Sequence, residues 1–468
     1  MATTDFNICL ATDSYKIWHW KGYMPDTENN YGYLEARKGA QFEETVFFGL
    51  QYILKKYLQG RVVTREKIQE AKKLMDQHLT PGYFNVEGWE HILNNYDGKL
   101  PVTIKAVPEG SVVPVGNVLM TVELTQNDPK LCWLTNYLES LLMHVWYPCT
   151  VATLSRSLKK LILGYMEMTC DSTKGIEFKM QDFGFRGVSS YESAQIGGAA
   201  YLTQFAGSDN IPALLVPREY YDLKGIPGYS VAATEHSIMT ARGEEGEWDV
   251  LDNIFKVTPK GILSIVIDSY DYERFLETCG TRYKDIIENR EGVTVFRPDS
   301  GEPIATTLRC LEILDKHFGS QTNSKGYKVL NNAVRLLWGD GIDYYGIRDI
   351  LLAMTNKGWA TDCMACFGMG GGLLQKVNRD TQRMAFKSSA QFYDGSWHDV
   401  WKKPKDASKA SKRGRLALVW DKETGYKTVR LEELGDRVDE LKTVFENGEL
   451  KYEQQWGLIT HRCSITGE

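Results

Sequence analysis

The stretch that decides the fold is 292–303, GVTVFRPDSGEP, in which an apolar run ends at Arg297, Asp299 and Gly301. Three more stretches follow the same plan of an apolar run and then polar residues or glycines, namely 261–271 (GILSIVIDSYD), 333–343 (AVRLLWGDGID) and 363–375 (CMACFGMGGGLLQ). Helix-like segments such as 344–358 separate them. Strands that alternate with helices in this way are typical of βα units in a parallel sheet.

Each of these predicted strands brings polar side chains or glycines to its carboxyl end. In a (β/α) barrel the active site lies at this end of the strands, and phosphate is often bound after the last of them. We therefore predict an α/β protein whose core, residues 146–395, is an irregular (β/α) barrel. A doubly wound open sheet is the alternative.

The two ends of the chain show a different pattern, in which short strands alternate with turns. Residues 29–39 and 100–125 predict antiparallel strands, and 415–434 predicts a hairpin. We expect residues 1–145 and 396–468 to pack together as an additional β-rich α+β domain.

Two helices are predicted near the boundary between the N-terminal part of the chain and the barrel core. Residues 132–146 have helical periodicity, and we expect that helix to end before Pro148. Residues 151–169 predict a second helix with one apolar stripe.

Composition excludes several classes of function. A net charge of −6 argues against general binding of nucleic acid or of anionic membranes, both of which require a basic surface. The N-terminus has no signal-peptide pattern, and no apolar run approaches the ~20 residues of a membrane helix. Nine scattered cysteines are typical of a reducing compartment, so we expect a cytoplasmic protein. Cys363 and Cys366 form a CxxC in an apolar run, where a buried strand is the better interpretation.

A glycine cluster suggests a site for phosphate. Gly370, Gly371 and Gly372 follow a predicted strand and begin a helix, so backbone N–H groups can approach an anion closely. Arg379, about two turns further on, can bind phosphate through two hydrogen bonds. A tight loop would also explain the glycines. In RPDSG, the Asp299 carboxylate can accept from two adjacent hydroxyls, so the pattern indicates a phosphosugar or a nucleotide.

The stretch SVAATEHSIMTARG, 230–243, sets His236 beside Glu235 among small and apolar residues. A histidine in such surroundings is often a core residue with a hydrogen-bonded partner. A catalytic histidine is the alternative.

Eight ordered segments resemble the nicotinamide phosphoribosyltransferases, which belong to the type II phosphoribosyltransferase family. They are ATDSYKIWHW, EETVFFGLQYIL, GWEHILNNYDGKLPVTIKAVPEG, DFGFRGVSS, GYSVAATEHS, RPDSG, GDGID and FGMGGGLLQKVNRD. The likeness as a whole extends from about residue 10 to about residue 450. The resemblance implies transfer of a 5-phosphoribosyl group from phosphoribosyl pyrophosphate to nicotinamide. Nicotinate phosphoribosyltransferase is the nearest alternative, and a barrel phosphosugar isomerase or lyase is a more distant one.

The resemblance also assigns roles to residues of this sequence. Phe183 and Tyr15 would stack on the pyridine ring, with Tyr15 supplied by the other subunit of a homodimer, and Asp209 would accept a hydrogen bond from the carboxamide. The remaining contacts are Arg297 for nicotinamide and pyrophosphate, Arg186 and His236 for pyrophosphate, and Asp299, Gly339, Asp340, Gly370, Gly371 and Arg379 for ribose and phosphate.

Catalysis in this family implies ATP as co-substrate and Mg²⁺ on the pyrophosphate, for which the protein ligands are unknown. His236 matches a histidine that ATP phosphorylates, and Asp268 would bind its other ring nitrogen. The basic stretch 402–415 is either a solvated loop or a phosphate-binding flap. Candidate phosphate contacts from the partner subunit are Arg37, Lys387, Lys412 and Arg415. Gln181 departs from the family pattern, since vertebrate-like members carry a histidine there.

Overall fold

The computed structural model describes residues 6–402 and 411–465, so residues 403–410 of the basic stretch lie outside the described part. Its strands are β1 Asn29–Ala36, β2 Glu44–Val46, β3 Val102–Ala106, β4 Val112–Pro114, β5 Val118–Leu124, β6 Met180–Asp182, β7 Gly207–Ser208, β8 Ala232–Ala233, β9 Leu263–Val266, β10 Thr294–Arg297, β11 Ser320–Thr322, β12 Lys328–Leu330, β13 Val334–Trp338, β14 Met364–Met369, β15 Met384–Tyr393, β16 Ser396–Asp399, β17 Leu416–Asp421, β18 Gly425–Arg430, β19 Lys442–Glu446 and β20 Glu449–Leu450.

Helices occur throughout the described residues. They are α1 His19–Gly22, α2 Leu50–Ile53, α3 Arg65–His78, α4 Val86–Asn95, α5 Leu134–Tyr137, α6 Glu139–Leu142, α7 Trp146–Thr169, α8 Tyr191–Leu202, α9 Leu215–Tyr220, α10 His236–Met239, α11 Glu247–Val257, α12 Tyr272–Thr281, α13 Lys284–Asn289, α14 Pro303–Phe318, α15 Tyr344–Asn356, α16 Gly371–Leu374 and α17 Trp456–Arg462. No helix among residues 6–402 and 411–465 is long and apolar enough to cross a membrane.

The chain divides into two compact units. The first contains 1–153, 216–223 and 378–464, and the second contains 154–215, 224–377 and 465–468. The domain boundaries at residues 145 and 395 that we drew from the sequence stay a prediction.

The second unit is built on a parallel sheet of seven strands in the order β7-β6-β14-β13-β10-β9-β8. A parallel bridge joins Gly207 of β7 to Tyr229, which lies three residues before β8. This isolated bridge joins β7, at one edge of the sheet, to the segment that leads into β8, at the other edge, so the sheet is curled into an incomplete barrel. The predicted irregular (β/α) barrel is therefore confirmed, and the open-sheet alternative is wrong.

Helices between the strands cover the outside of this sheet, and α14 shows why they form. Pro303 at its first position has a backbone angle already suited to a helix, and the Glu302 side chain accepts from the N–H of Ala305. One face of α14 is then buried, including Leu311 and Leu314. This burial of apolar surface stabilises the helix in place.

The interior of the barrel contains a small apolar cluster of Val295, Leu337 and Cys366. Cys366 lies in β14, as the buried-strand interpretation of the CxxC required. Burial raises the pKa of the Cys366 thiol to about 12 and that of Cys363 to about 11, so both thiols stay protonated at neutral pH.

The first unit is built on an antiparallel sheet in the order β16-β15-β1-β5-β3-β19-β20. Strand β1 pairs with β15 and β3 pairs with β19, so the N-terminal and C-terminal parts of the chain share one sheet. The predicted hairpin is present as β17 and β18, paired from Leu416 with Arg430 to Asp421 with Gly425.

The predicted break before Pro148 is wrong. Helix α7 runs without interruption from Trp146 to Thr169 and includes Pro148 in its first turn. Proline is tolerated there because the first N–H groups of a helix have no partner within the helix. The residues before it form the short helices α5 and α6 rather than one long helix.

Candidate active site

The carboxyl ends of the parallel strands bring the predicted site residues of the second unit together. Phe183 follows β6, Asp209 follows β7 and Asp268 follows β9 by two residues. Arg297 ends β10, and Asp299 lies two residues further on. Gly339 and Asp340 follow β13, whereas Gly370 and Gly371 follow β14. Parallel strands place such residues at one edge of the sheet, as the sequence pattern predicted.

Two cavities open at this edge. A polar cavity of about 500 Å³ is lined by Asp299, Gly339, Asp340, Gly370 and Gly371, among others. A more apolar cavity of about 680 Å³ extends into the barrel past Val295, Leu337 and Cys366. The two adjoin, because both are lined by Phe183, Arg186, Asp209 and Arg297.

The ring of Phe183 lies close to the backbone at two glycines, Gly368 and Gly339. A Cβ atom on Gly368 would lie 2.0 Å from Phe183 Cε2, and one on Gly339 would lie 3.2 Å from the same atom. The Arg297 guanidinium lies 6.0 Å from the ring centroid. Gly368 was not predicted as a site residue, although a glycine inside an otherwise apolar strand is a known signal of close approach.

The Asp209 carboxylate is held by neighbours from both sides. Gln181 Nε2 donates to its Oδ1 over 2.7 Å, and Ser230 Oγ donates to the same oxygen over 2.5 Å. We call Phe183, Asp209, Gln181 and Ser230 the ring site. Phe183 and Asp209 were predicted from the sequence, whereas Ser230 was not.

Asp182 lies fully buried beneath the ring site. Its Oδ1 accepts from the N–H of Gly184 over 2.7 Å, and its Oδ2 accepts from Asn210 Nδ2 over 3.0 Å. Burial raises the pKa of Asp182 to about 6. This carboxyl group ties the loop that carries Phe183 to the loop that carries Asp209.

His236 lies beside Asp268, as predicted. Its Nε2 is 3.2 Å from Asp268 Oδ1, and Ser300 Oγ donates to Asp268 Oδ2. The histidine side chain is 46% exposed and that of Asp268 is 6% exposed, so the core-histidine interpretation is wrong. His236 begins α10, whereas Glu235 precedes the helix and accepts from Ser237.

We call His236, Asp268, Asp299 and Asp340 the acid cluster, because His236 contacts Asp268 and the charges of His236, Asp268 and Asp340 all act on Asp299. Burial raises the pKa of Asp299, and the positive charge of Arg297 opposes this shift. The negative charges of Asp268 and Asp340 raise the pKa of Asp299 further. Among the described residues, no group of three or more His, Cys, Asp or Glu side chains could hold a metal ion by itself. Mg²⁺ is commonly bound through one or two carboxylates plus substrate phosphates, and the acid cluster fits that arrangement.

The glycine loop ends in a short helix, α16, as predicted. The first N–H groups of a helix have no partner within it and are available to an anion. Lys376, which lines the polar cavity, is a basic residue that the sequence analysis did not find. Arg379, which it did predict, belongs to the first unit and is not among the lining residues.

The other predicted contacts also lie in the first unit. Tyr15 is 58% exposed. Burial lowers the pKa of Lys387, and the positive charge of Arg37 lowers it further. The charge of Arg379 has a smaller effect in the same direction. Lys412 forms an ion pair with Glu35, and Arg415 lies 4.0 Å from Glu123. The structure thus groups Arg37, Arg379 and Lys387 and pairs Lys412 and Arg415 with carboxylates of their own unit.

Comparison with known structures supports the fold. The chain has a TM-score of 0.61 with nicotinate-nucleotide pyrophosphorylase from Pyrococcus furiosus, at 15% identity, covering 99% of this chain and 96% of that one. With human nicotinic acid phosphoribosyltransferase the TM-score is 0.58 at 16% identity, covering 97% and 92%. Such low identities show a shared fold alone.

Sequence comparison shows the family. Residues 7–104 match the nicotinamide phosphoribosyltransferase N-terminal domain, and 178–449 match the nicotinate phosphoribosyltransferase family. The chain is 47% identical over 462 residues to nicotinamide phosphoribosyltransferase of Xanthomonas campestris pv. campestris (strain 8004), covering 97% of this chain and 96% of the relative. It is 34% identical over 438 residues to that of Mycoplasma pneumoniae, covering 87% and 94%. The chain therefore belongs to the family of nicotinamide and nicotinate phosphoribosyltransferases.

Proposed function

We propose that this protein transfers the 5-phosphoribosyl group of phosphoribosyl pyrophosphate to nicotinamide, forming nicotinamide mononucleotide and pyrophosphate in NAD salvage. The observation that carries the proposal is the position of Asp209 beside Phe183, where the two cavities adjoin. A flat ring stacked on Phe183 can donate a hydrogen bond from its carboxamide to this carboxylate. Nicotinate would bring a second negative charge to the same place, so nicotinamide is the better substrate.

The neighbouring groups have matching roles in this reaction. Asp299 accepts hydrogen bonds from ribose hydroxyls, and the glycine loop at Gly370 and Gly371 binds the 5′-phosphate. Arg297 and Arg186 bind pyrophosphate as it leaves. Carboxylates of the acid cluster would hold Mg²⁺, which would supply positive charge to offset the charge developing on the pyrophosphate.

ATP enters through His236. Because Nε2 of the imidazole faces Asp268, Nδ1 is the nitrogen that attacks the γ-phosphorus of ATP. The Nδ1–P bond forms as the bond from phosphorus to the ADP oxygen breaks, and Asp268 stabilises the resulting positive ring through Nε2–H. Hydrolysis of this phosphohistidine then releases phosphate and couples ATP to nucleotide synthesis.

A homodimer with shared sites completes the proposal. Tyr15, exposed in its own chain, stacks on the pyridine ring of the partner's site. Arg37, Arg379 and Lys387 supply phosphate contacts, and Lys412 and Arg415 are weaker candidates because both already have carboxylate neighbours. A cytoplasmic location suits these substrates.

One assay tests the reaction. Formation of mononucleotide is measured with nicotinamide and with nicotinate, each with and without ATP, for wild type and His236→Ala. We expect preference for nicotinamide, stimulation by ATP in wild type only, and acid-labile, base-stable label from γ-labelled ATP in wild type only. Preference for nicotinate would overturn the substrate assignment, and equal labelling of both proteins would overturn the role of His236.

Subunit exchange tests the dimer. Tyr15→Ala and Asp299→Ala are each expected to be nearly inactive, but a mixture should regain activity because a heterodimer contains one intact site. Exchange is verified with differently tagged chains. If heterodimers form and no activity returns, each chain builds its own site.

A further inference from the structure

The two hydrogen bonds to Asp209 suggest a role for residues that the proposed function does not use. Gln181 and Ser230 both donate to Oδ1 of the carboxylate. The donors come from either side of β7 in the sheet, because Gln181 lies in β6 and Ser230 follows Tyr229, which bridges to Gly207. The carboxylate is therefore held between two different segments.

The Gln181 amide has little freedom to turn away from Asp209. Gln181 lies opposite Gly207 in the register of β6 and β7. A Cβ atom on Gly207 would lie 2.3 Å from Gln181 Oε1, so the absent side chain leaves the space that the amide fills. With its oxygen packed on that side, the amide presents its NH₂ group to Asp209.

The backbone that carries Asp209 is also fixed. The N–H of Asp209 donates to the carbonyl oxygen of Asp182 over 3.0 Å. The next residue, Asn210, donates through Nδ2 to Asp182 Oδ2 and, over 2.9 Å, to the carbonyl oxygen of Ala194. The carboxylate is thus held at its backbone and at one of its two oxygens.

We propose that Gln181 and Ser230 are positioning residues that hold Asp209 with its second oxygen, Oδ2, toward the nicotinamide carboxamide, and so contribute to selection of nicotinamide over nicotinate. The inference rests on the proposed function, in which Asp209 accepts from the carboxamide. Within the described residues, no side chain donates to Oδ2. Both donors are neutral, so they orient the carboxylate without cancelling the charge that repels a second carboxylate.

The first test removes the donors singly. In Gln181→Leu we expect KM for nicotinamide to rise about tenfold with kcat nearly unchanged, because a hydrogen bond to a charged group is lost. The ratio of kcat/KM for nicotinamide to that for nicotinate should fall by a similar factor, and Ser230→Ala should shift it less. Gln321→Leu, an exposed glutamine on β11, is the matched control and should change neither quantity more than about twofold.

The second test uses charge. Gln181→Glu places two carboxyl groups within hydrogen-bond distance, so at low pH they share a proton and at high pH they repel. We expect kcat/KM for nicotinamide in this variant to fall as pH rises through the range in which the shared proton is lost, while wild type does not show this step. A residue with a purely structural role would not add a pH-dependent step.

The outcomes separate the inference from the function on which it rests. If wild type forms no mononucleotide from nicotinamide, the proposed function fails, and the inference fails with it. If wild type is active but Gln181→Leu keeps its KM and substrate ratio within twofold, only the positioning role is overturned. If Gln181→Leu does not fold, the pH profile of Gln181→Glu decides, and a profile parallel to wild type would overturn the role.

Discussion

The ring site is held by close packing and by neutral hydrogen-bond donors, whereas the acid cluster is held by charges that oppose or neutralise one another. Phe183 lies against Gly368, and Asp209 is bound by an amide and a hydroxyl. In the acid cluster, Asp268 is shared between His236 and Ser300, and Asp299 lies near two like charges.

This difference has a physical meaning for each site. A site that is held by close packing is disrupted when a substitution adds side-chain volume, because protein interiors are already densely packed. A site that is held by charges is disrupted when a charged partner is removed or when one of its groups gains or loses a proton. The two sites should therefore be separable by mutation.

The largest effect is expected for Gly368→Ala. The added methyl group would lie 2.0 Å from the Phe183 ring, which must move out of its position. A displacement of about 1 Å in a binding site can cost about a hundredfold, so we expect kcat/KM for nicotinamide to fall by roughly that factor. Labelling of His236 by ATP should stay within a few-fold of wild type.

The control for this variant is Gly164→Ala on α7, where a Cβ atom meets nothing within 4 Å. It should leave kcat/KM unchanged and stabilise the helix slightly, by up to about 1 kcal/mol. If Gly368→Ala and Gly164→Ala have equal activity, the ring of Phe183 does not depend on the space at Gly368.

The second effect is on stability and concerns Asp182. Its pKa is raised from 3.8 to about 6 by burial, so the native state favours the protonated form. The stability that this preference contributes is fully present below pH 3.8 and is lost as pH rises to about 6, a change of about 3 kcal/mol. Asp182→Asn cannot lose a proton there.

The measurement is the free energy of unfolding of both proteins between pH 4 and pH 7. The difference, variant minus wild type, should rise with pH by up to about 3 kcal/mol and level off above the folded pKa. A difference that stays constant with pH would show that Asp182 is ionised with its ordinary pKa, and that burial at this position is less complete than the structure indicates.

The strand ends of this protein could be predicted from sequence, but the contacts between them could not. Arg297, Asp299 and Asp340 follow apolar runs, and the parallel-sheet pattern alone predicts that they meet. The pairing of Gln181 with Asp209 depends on strand register and on the missing side chain of Gly207. Neither can be derived from local sequence, because the two residues are far apart along the chain.

The same limit explains the errors in local structure. Pro148 was expected to end a helix, since proline most often interrupts one, but its position within the first turn of α7 removes the conflict. His236 and Glu235 are adjacent in the sequence, but only His236 belongs to the short helix α10, and the two side chains contact different partners, Asp268 and Ser237.

A third prediction concerns the charge of Asp209. Asp209→Asn keeps the size of the side chain and removes the charge that repels nicotinate. Because Asp209 is exposed, solvent screens part of this repulsion, so we expect the ratio of kcat/KM for nicotinamide to that for nicotinate to fall roughly tenfold. Asp285→Asn, on the exposed face of α13, should leave the ratio unchanged. A ratio that does not move would assign the selection to another group.

The smallest effect is expected at Ser300, which contacts the acid cluster through Asp268. Its hydroxyl donates to Asp268 Oδ2, while the other oxygen of Asp268 faces His236. In Ser300→Ala, Asp268 keeps its charge but loses one of the groups that orient it, so stimulation by ATP should fall a few-fold and basal transfer should not change. Ser324→Ala is the matched control, because Ser324 donates in the same way to Asp171, away from both cavities.

The opposite pattern is expected at the ring site, because Gly368→Ala should lower transfer and leave the labelling of His236 intact. If Ser300→Ala lowers basal transfer as much as it lowers stimulation, the two sites are not separable and the phosphohistidine acts in both.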